Sequence, residues 1–235
     1  SRGLGDVYKR QVYASMWNMD GLILMGFCEA DYEALRSQTR ISFVVYDGYF
    51  AACSKVVNLT IGHYDGGYQA GQYARELGHT KALCLADNDL CMDKERMDGF
   101  RAAFAPGKAL FWQIPALQKE RSAYYAEHFR RFLNLHSTVV FAASDFYALD
   151  FMRFLQTNGV RIPDDVQIIG FDDTAASRES VPTLTTVHQD AAQRAKTALA
   201  CLEAMRSGKE CEAQIVLPVT LIPRESTRKM PCRTL

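Results

Sequence analysis

The sequence lacks a surplus of charge of either sign. Among its 235 residues, 27 are Lys or Arg and 27 are Asp or Glu. A protein that binds nucleic acid through its own surface usually carries a basic field that attracts phosphates, and this balance provides none. We therefore exclude DNA binding by these residues alone.

Long apolar runs and metal-binding cysteine spacings are also absent. No apolar segment approaches the roughly 20 residues that a transmembrane helix needs, so no membrane partner is predicted. The seven cysteines are odd in number and show no C-x-x-C spacing, which argues against a disulfide framework and against a zinc site. The sequence therefore predicts no cofactor, and its cysteine usage favours a reducing cytoplasm.

The composition that is present is typical of a globular protein, with 48% apolar and 23% charged residues. A chain of this length can form one large domain or two small lobes, and either can bury a substantial core. Amphipathic helical patterns at 94–104, 119–133 and 147–158 alternate with short apolar runs. This alternation predicts an α/β fold.

The strongest local signal is a short apolar run that ends in two carboxylates. Residues 166–171 have the length and β-branched content of a buried strand, and Asp172 and Asp173 follow immediately. The same order recurs where three other apolar runs end, at Asp47, Asp87 and Ser144-Asp145. In a parallel sheet these side chains share the carboxyl edge, where open α/β folds bind their ligands.

A glycine-rich helical pattern spans residues 66–77. One face of it carries mostly small side chains, at Gly67, Ala70, Gly71, Ala74 and Leu77. Such a face allows close packing, and we expect this helix to lie directly against a sheet. The alternative is a phosphate cradle formed by the glycines, but their spacing matches neither nucleotide-binding fingerprint.

Three extended segments interrupt the alternation, at about residues 55–62, 182–190 and 215–223. The last contains Pro218 in its middle, and a proline cannot donate a hydrogen bond to a central strand ladder. This segment is therefore predicted to leave one sheet and enter another. Three such crossings are what a protein of two lobes with a triple-stranded hinge needs.

The order of motifs resembles the effector-binding core of the lactose-repressor/galactose-repressor family, which is related in fold to periplasmic sugar-binding proteins. The matching segments are collinear from about residue 20 to 228: DGLIL at 20–24, DGGYQAGQYARELGH at 65–79, ERMDGF at 95–100, ASD at 143–145, IPDDVQIIGFDDT at 162–174, LTTVHQD at 184–190 and LPVTLIPRES at 217–226. Their joint occurrence is specific. The resemblance implies a periplasmic-binding-protein-like type I fold, with two parallel-sheet lobes joined by a three-stranded hinge.

The chain departs from the family pattern at its beginning. Family repressors start with a helix-turn-helix head and a hinge helix, and this sequence shows neither, nor the first βαβ unit of the N-terminal lobe. We interpret it as an N-terminally truncated core. The predicted domains are a disordered or non-native head at 1–11, an incomplete N-terminal lobe at 12–61 plus 191–217, a C-terminal lobe at 62–190 plus 218–228, and a tail at 229–235.

The chemistry of the predicted carboxyl edge suits a polyhydroxylated ligand. Carboxylates accept paired hydrogen bonds from neighbouring hydroxyls, while a guanidinium donates a fixed pair of hydrogen bonds to oxygen atoms. By resemblance, Arg96 matches the family's ligand-contacting arginine and Asp172 matches its strand-end carboxylate. The alternatives are a solvated helix arginine paired with Asp93 or Glu95, and an aspartate that serves only a turn or a helix cap.

Three further ligand-binding candidates follow from the resemblance. Asp47 matches the acid that closes the N-terminal lobe strand, and Ser144 stands where relatives often carry a polar residue. Asp145 is the third, with helix capping as its alternative, and a plain turn role remains open for Asp47. Asp173 is assigned to the backbone rather than to the ligand, and the aromatic residues Tyr46 and Phe171 to core packing.

The resemblance implies a sugar-sensing effector-binding and dimerisation core of a DNA-binding transcriptional regulator. Its expected partners are a small-molecule effector (a mono- or disaccharide), a second copy of the chain, and operator DNA through the missing head only. The runner-up is a periplasmic sugar-binding protein of a transport system. A glycoside-processing enzyme would need two carboxylates that flank a bond, and nothing in the sequence selects such a pair.

Overall fold

The computed structural model describes residues 20–25, 41–48 and 56–229. The predicted head and most of the predicted tail lie outside the described residues. So do residues 12–19 and 31–38, for which the sequence also predicts helical segments. No helix in the described ranges is long and apolar enough to cross a membrane.

Strands and helices alternate along the described part of the chain. The strands are β1 (Gly21–Met25), β2 (Ser42–Tyr46), β3 (Val56–Ile61), β4 (Lys81–Ala86), β5 (Lys108–Gln113), β6 (Val139–Ala142), β7 (Gln167–Asp172), β8 (Thr185–Gln189), β9 (Gln214–Leu217) and β10 (Val219–Ile222). The helices are α1 (His63–Glu76), α2 (Cys91–Phe104), α3 (Gln118–Leu135), α4 (Asp145–Thr157), α5 (Ala175–Glu179) and α6 (Ala191–Arg206).

The chain divides into two compact units and passes between them three times. The first unit contains the chain up to Ile61 together with Asp190–Pro218, and the second contains Gly62–Gln189 together with the chain from Val219 onward. The sequence places its three boundaries after residues 61, 190 and 217.

The first unit is built on a four-stranded parallel sheet with the order β1-β2-β3-β9. Helix α6 packs on this sheet, and its Ala198 and Cys201 join Val44, Val57 and Leu59 in one apolar cluster. The two central strands, β2 and β3, are rich in the β-branched and aromatic side chains that favour extended structure. Several apolar side chains of this unit stay exposed, among them Met25 at 65% and Val216 at 61%.

The second unit is built on a six-stranded sheet with the order β10-β8-β7-β6-β4-β5. All neighbours in it are parallel except β10, which runs antiparallel to β8. Both faces are covered, so β4, β6 and β7 are almost continuously buried. Pro218 separates β9 in the first sheet from β10 in the second, which confirms the prediction for this segment.

Glycines bring α1 and α2 together backbone to backbone. A Cβ atom on Gly67 would lie 1.9 Å from the carbonyl oxygen of Arg96, and one on Gly71 would lie 2.2 Å from that of Phe100. From the other side, a Cβ atom on Gly99 would lie 2.0 Å from the carbonyl oxygen of Tyr64. The expected close packing of this helix is confirmed, but at Gly67 and Gly71 the neighbour is a helix, whereas Gly66 lies against Phe171 and Val187 of the sheet. The contact fixes the position of the Arg96 backbone.

Candidate functional site

In the second unit, β7 ends at Asp172 in an unusual backbone conformation. Its φ angle is +119°, and that of Asp173 is +54°, in the region that side chains other than glycine rarely adopt. The Asp172 carboxylate stays partly exposed, and its Oδ1 accepts a hydrogen bond of 2.8 Å from Nε2 of Gln189. The same Oδ1 lies 3.4 Å from Nη1 of Arg96. Strained residues of this kind persist where the surrounding structure holds them, often at functional sites.

Arg96 reaches this strand end from α2 and is only 7% exposed. Its Nε donates to Nδ1 of His63 over 3.1 Å, and its Nη1 donates to the carbonyl oxygen of Ala143 over 2.5 Å. The guanidinium carbon lies 3.8 Å from the centroid of the Phe171 ring. Arg96 is therefore not a solvated helix arginine, and Phe171 supports it from below in addition to filling the core.

Ser144 and Asp145 begin α4 at the end of the neighbouring strand, β6. Ser144 caps this helix, because its side chain accepts a hydrogen bond from the backbone nitrogen of Tyr147. Asp145 is 0% exposed, and its Oδ2 accepts hydrogen bonds from the backbone nitrogen and the hydroxyl of Thr174. Its Oδ1 accepts another from the Thr186 hydroxyl.

The carboxylate of Asp145 thus ties α4 to the turn after β7 and to β8. Burial raises the pKa of Asp145, while the hydrogen bonds from Thr186 and Thr174 act in the opposite direction. The alternative of a helix cap is wrong for Asp145, since Ser144 fills that role. Ligand contact by Asp145 stays a prediction, and its burial favours a part in holding the turn.

Asp173 is held by two arginines and a histidine of its own unit, in line with its assignment away from the ligand. Its carboxylate lies 2.5 Å from Nη2 of Arg224, 3.0 Å from Nη1 of Arg178 and 2.8 Å from Nδ1 of His188. Burial acts to raise the pKa of Asp173, but the hydrogen bonds from Arg224 and His188 outweigh it and bring the pKa below its usual value. The turn after Asp172 is therefore anchored on three sides.

In the first unit, Asp47 follows β2 with a φ angle of +52°. Its Oδ1 accepts hydrogen bonds from the Thr60 hydroxyl over 3.0 Å and lies 2.7 Å from Nη2 of Arg194 on α6. The guanidinium carbon of Arg194 lies 4.1 Å from the centroid of the Tyr46 ring. Asp47 therefore lies in a turn, as its alternative role predicts. Its carboxylate also forms a largely buried ion pair with Arg194, which the sequence analysis did not select.

The two units share a local arrangement at these strand ends. In each, a strand finishes with an aromatic residue and an aspartate of positive φ, Tyr46-Asp47 in one and Phe171-Asp172 in the other. In each, a buried arginine from a helix of the same unit pairs with the aspartate and stacks on the aromatic ring. The arginine supplies donors, and the carboxylate supplies acceptors, to a ligand rich in hydroxyl groups.

Three further residues extend the polar edge of the second unit, namely Asp87, Asp93 and Tyr147. Burial raises the pKa of Asp93 to about 7, with Arg96 opposing this shift and Asp87 and Asp172 adding to it. Burial also raises the pKa of Tyr147, and the nearby carboxylates of Asp93 and Asp87 raise it further. The strand-end pattern already pointed to Asp87. Nothing in the helical spacing distinguishes Asp93 or Tyr147, since their grouping arises only when α2 and α4 pack on the sheet.

Comparison with known proteins places this architecture in a family. Residues 72–227 match the family model of the periplasmic binding protein-like domain. The chain belongs to this family. Its match also confirms the resemblance to the lactose-repressor/galactose-repressor core and the predicted type I fold.

Among curated members, the transcriptional repressor PurR of Vibrio parahaemolyticus is 29% identical over 237 residues, which cover 96% of this chain and 71% of PurR. The PurR of Vibrio cholerae (strain M66-2) is 34% identical over 155 residues, covering 64% of this chain and 46% of that protein. The transcriptional regulator DegA of Bacillus subtilis is 32% identical over 169 residues, covering 69% of this chain and 49% of DegA. The match thus spans about half the length of the latter two proteins.

Solved structures of the periplasmic binding protein-like family share the fold. A periplasmic binding protein/LacI transcriptional regulator from Alkaliphilus metalliredigens in complex with D-xylulofuranose has a TM-score of 0.82 at 24% identity, covering 95% of this chain and 84% of that one. The regulator CelR in complex with cellobiose has a TM-score of 0.82 at 24% identity, covering 96% and 71%. A dimeric Lac repressor has a TM-score of 0.82 at 21% identity, covering 96% and 84%.

Proposed function

We propose that this chain is the sugar-binding and dimerisation core of a transcriptional regulator. The observation that carries the proposal is the pair formed by Arg96 and Asp172 at the carboxyl edge of the second unit, 3.4 Å apart and supported by the Phe171 ring. A buried guanidinium and a partly exposed carboxylate, fixed next to each other, can donate to and accept from the same pair of hydroxyl groups.

The proposed ligand is a neutral mono- or disaccharide. Its hydroxyl groups match the donors of Arg96 and the acceptors of Asp172, with Asp87 and Asp93 as further acceptors on the same unit. A strongly anionic ligand would be repelled by these carboxylates. Related proteins of this fold have been solved with D-xylulofuranose, ribose and cellobiose, which supports a sugar of one or two rings.

Asp47 and Arg194 form the corresponding proposed ligand group of the first unit. Ser144 and Asp145 are proposed to support the site from α4, the first by capping the helix and the second by holding the turn that presents Asp172. In this proposal Arg194 is a positioning residue, because it orients the Asp47 carboxylate through the 2.7 Å ion pair.

The proposed mode of action is regulation of transcription from the cytoplasm, as a homodimer. A helix-turn-helix head would contact operator DNA, and sugar binding would change the affinity for DNA by favouring one of two conformations. The curated relatives are named as transcriptional repressors and regulators, which favours this function over transport and over catalysis.

Thermal unfolding in the presence of a sugar panel tests this function. D-ribose, D-xylulose, D-glucose, lactose and cellobiose serve as probes, each in large excess. A ligand at about 100 times its Kd adds about 2.7 kcal/mol of stability, or about 5 °C or more in Tm for a chain of this size. We expect at least one sugar to produce such a shift in the parent and none to do so in Arg96→Ala.

Arg101→Ala is the matched control, since Arg101 lies on the same helix but is about one-third exposed and pairs with Asp98. It should retain the full shift. Failure of every sugar to stabilise the parent, or an equal shift in Arg96→Ala, would contradict the proposed function.

A further inference from the structure

Two cysteines lie close together in the first unit, apart from the candidate ligand site. Cys201 is on α6 and is 8% exposed, while Cys211 lies on the segment between α6 and β9 and is half-buried. Both thiols are free. They are ten positions apart in the sequence, with the end of α6 and the Gly208 turn between them.

The Cys211 thiol contacts the backbone of Cys201. Sγ of Cys211 donates to the carbonyl oxygen of Cys201 over 3.5 Å. Burial raises the pKa of the Cys201 thiol, and the charge and the hydrogen bond of Cys211 raise it further. Cys211 is the more accessible of the two thiols, so it is the one that a small molecule in solution meets first.

Both cysteines line one open surface pocket. Its volume is about 460 Å³, and its lining includes Cys201, Cys211, Lys196 and Glu212. A pocket of this size admits a small molecule, and its open side lets a leaving group depart. Two cysteines packed in a protein core are closed off from solutes. Cys201 and Cys211 differ from such a pair because both line the same open pocket.

We propose that Cys201 and Cys211 form a thiol–disulfide exchange site that reacts with low-molecular-weight disulfides. The Cys211 thiolate attacks one sulfur of the small disulfide, a new S–S bond forms, and one small thiolate leaves. The Cys201 thiolate then attacks Sγ of Cys211, and the second small thiolate leaves. In total, two protein thiols are oxidised to one disulfide, and one small disulfide is reduced to two thiols.

The product of this reaction would join α6 to the segment that enters β9. The closed loop runs from 201 to 211 and contains the exposed C-terminal end of α6. Because the bond links two parts of the same unit, the reaction needs no second copy of the chain. The four-stranded sheet would then be tied to its covering helix at one end.

Peptide mapping in glutathione buffers tests the proposal. The full chain is equilibrated at increasing ratios of oxidised to reduced glutathione, free thiols are alkylated, and the protein is digested with trypsin. Trypsin separates the two cysteines into peptides 197–206 and 210–224, each with a single cysteine. We expect these two peptides to become joined by a disulfide.

The exposed Cys91 serves as the reference for simple thiol exposure. The joined peptides should be half-formed at a ratio about tenfold or more below that at which Cys91 gains glutathione, because the second step is intramolecular. In Cys201→Ser, Cys211 should stop at the glutathione adduct. Circular dichroism verifies that this variant is folded.

Two results would overturn the proposal. One is full alkylation of Cys201 and Cys211 at ratios that already modify Cys91. The other is a disulfide that joins Cys211 to any cysteine other than Cys201.

Discussion

At the scale of single residues, the site depends on side chains whose charge is set by their surroundings. Asp93 lies on α2, three positions before Arg96, and its pKa is raised to about 7 mainly by burial. Arg96 opposes this shift, while Asp87 and Asp172 increase it. The phenol of Tyr147 on α4 faces the same group of charges. Loss of the proton from Asp93 close to neutral pH therefore adds one negative charge to this polar edge.

We expect Asp93 to make the protein less stable as pH rises from about 4 to about 7. In this window the folded chain holds a proton on Asp93 that the unfolded chain, with an ordinary pKa near 3.9, has already released. The free energy of unfolding should fall by about 2 kcal/mol between pH 5 and pH 7 through this group alone. Its contribution becomes constant above about pH 8, where Asp93 is ionised in both states.

Urea unfolding of the parent and of Asp93→Asn at pH 5, 6, 7 and 8 measures this effect. The difference in free energy between the two proteins should change between pH 5 and 7 and then level off. Asp89→Asn is the control, because Asp89 is exposed in the loop just before α2. A difference that is flat across the whole series would show that Asp93 is ionised normally in the folded state.

At the scale of secondary structure elements, the contact between α1 and α2 determines where Arg96 is. The carbonyl oxygen of Arg96 lies where a Cβ atom on Gly67 would be, only 1.9 Å away. No rotation of a side chain can relieve such a clash, because the backbone of residue 67 fixes the position of the Cβ atom and the oxygen belongs to the backbone of α2. Any larger residue at position 67 must separate the helices or bend one of them.

We expect Gly67→Ala to destabilise the protein by about 2–3 kcal/mol and to remove the sugar-induced Tm shift. Alanine favours a helix over glycine by about 1 kcal/mol, but the overlap with the α2 backbone costs more. Chemical unfolding and the thermal assay measure the two effects. Gln72→Ala, at an exposed position of the same helix, should leave both unchanged. A Gly67→Ala protein as stable as the parent would mean that the helices can move apart without loss.

The sequence predicts most elements because their signals are local. In β7, for example, the apolar run gives the length of the strand and the aspartate marks its end, so both can be predicted from the sequence of this segment alone. Helix α5 is missed because its five residues complete little more than one turn and show no periodicity. The partner of the α1 glycine face and the ion pair of Arg194 are missed for a different reason. Both depend on which helix packs next to which, and a single sequence does not record this.

At the scale of the whole molecule, each unit has its own hydrophobic core, and the described clusters of buried apolar residues are larger in the second unit than in the first. The second unit buries a large cluster that includes Phe151, Trp112 and Leu83 under both faces of a six-stranded sheet. The described part of the first unit has four strands and smaller clusters, and it leaves Met25 and Val216 largely exposed. Among the described residues, less apolar area is removed from water in the first unit than in the second, and the hydrophobic stabilisation of those strands is smaller in proportion.

We expect the first unit to open before the second. Native-state hydrogen exchange should show lower protection for the amides of β2 and β3 than for those of β4 and β6. Leu59→Ala should lower protection further in the first unit only, and Leu83→Ala should do so in the second unit only, since each side chain is buried in the core of its own unit. Equal protection in the two sheets would contradict this order.

The backbone contact between α1 and α2 also limits how ligand preference can change during evolution. Gly67, Gly71 and Gly99 have no single-step replacement that keeps both helices in place, so the guanidinium above Phe171 is a constant of the architecture. Asp87, Asp93 and Tyr147 surround it without being part of that contact. If the proposed site is correct, new specificities can arise at these three positions by point substitution, while Arg96 keeps its position.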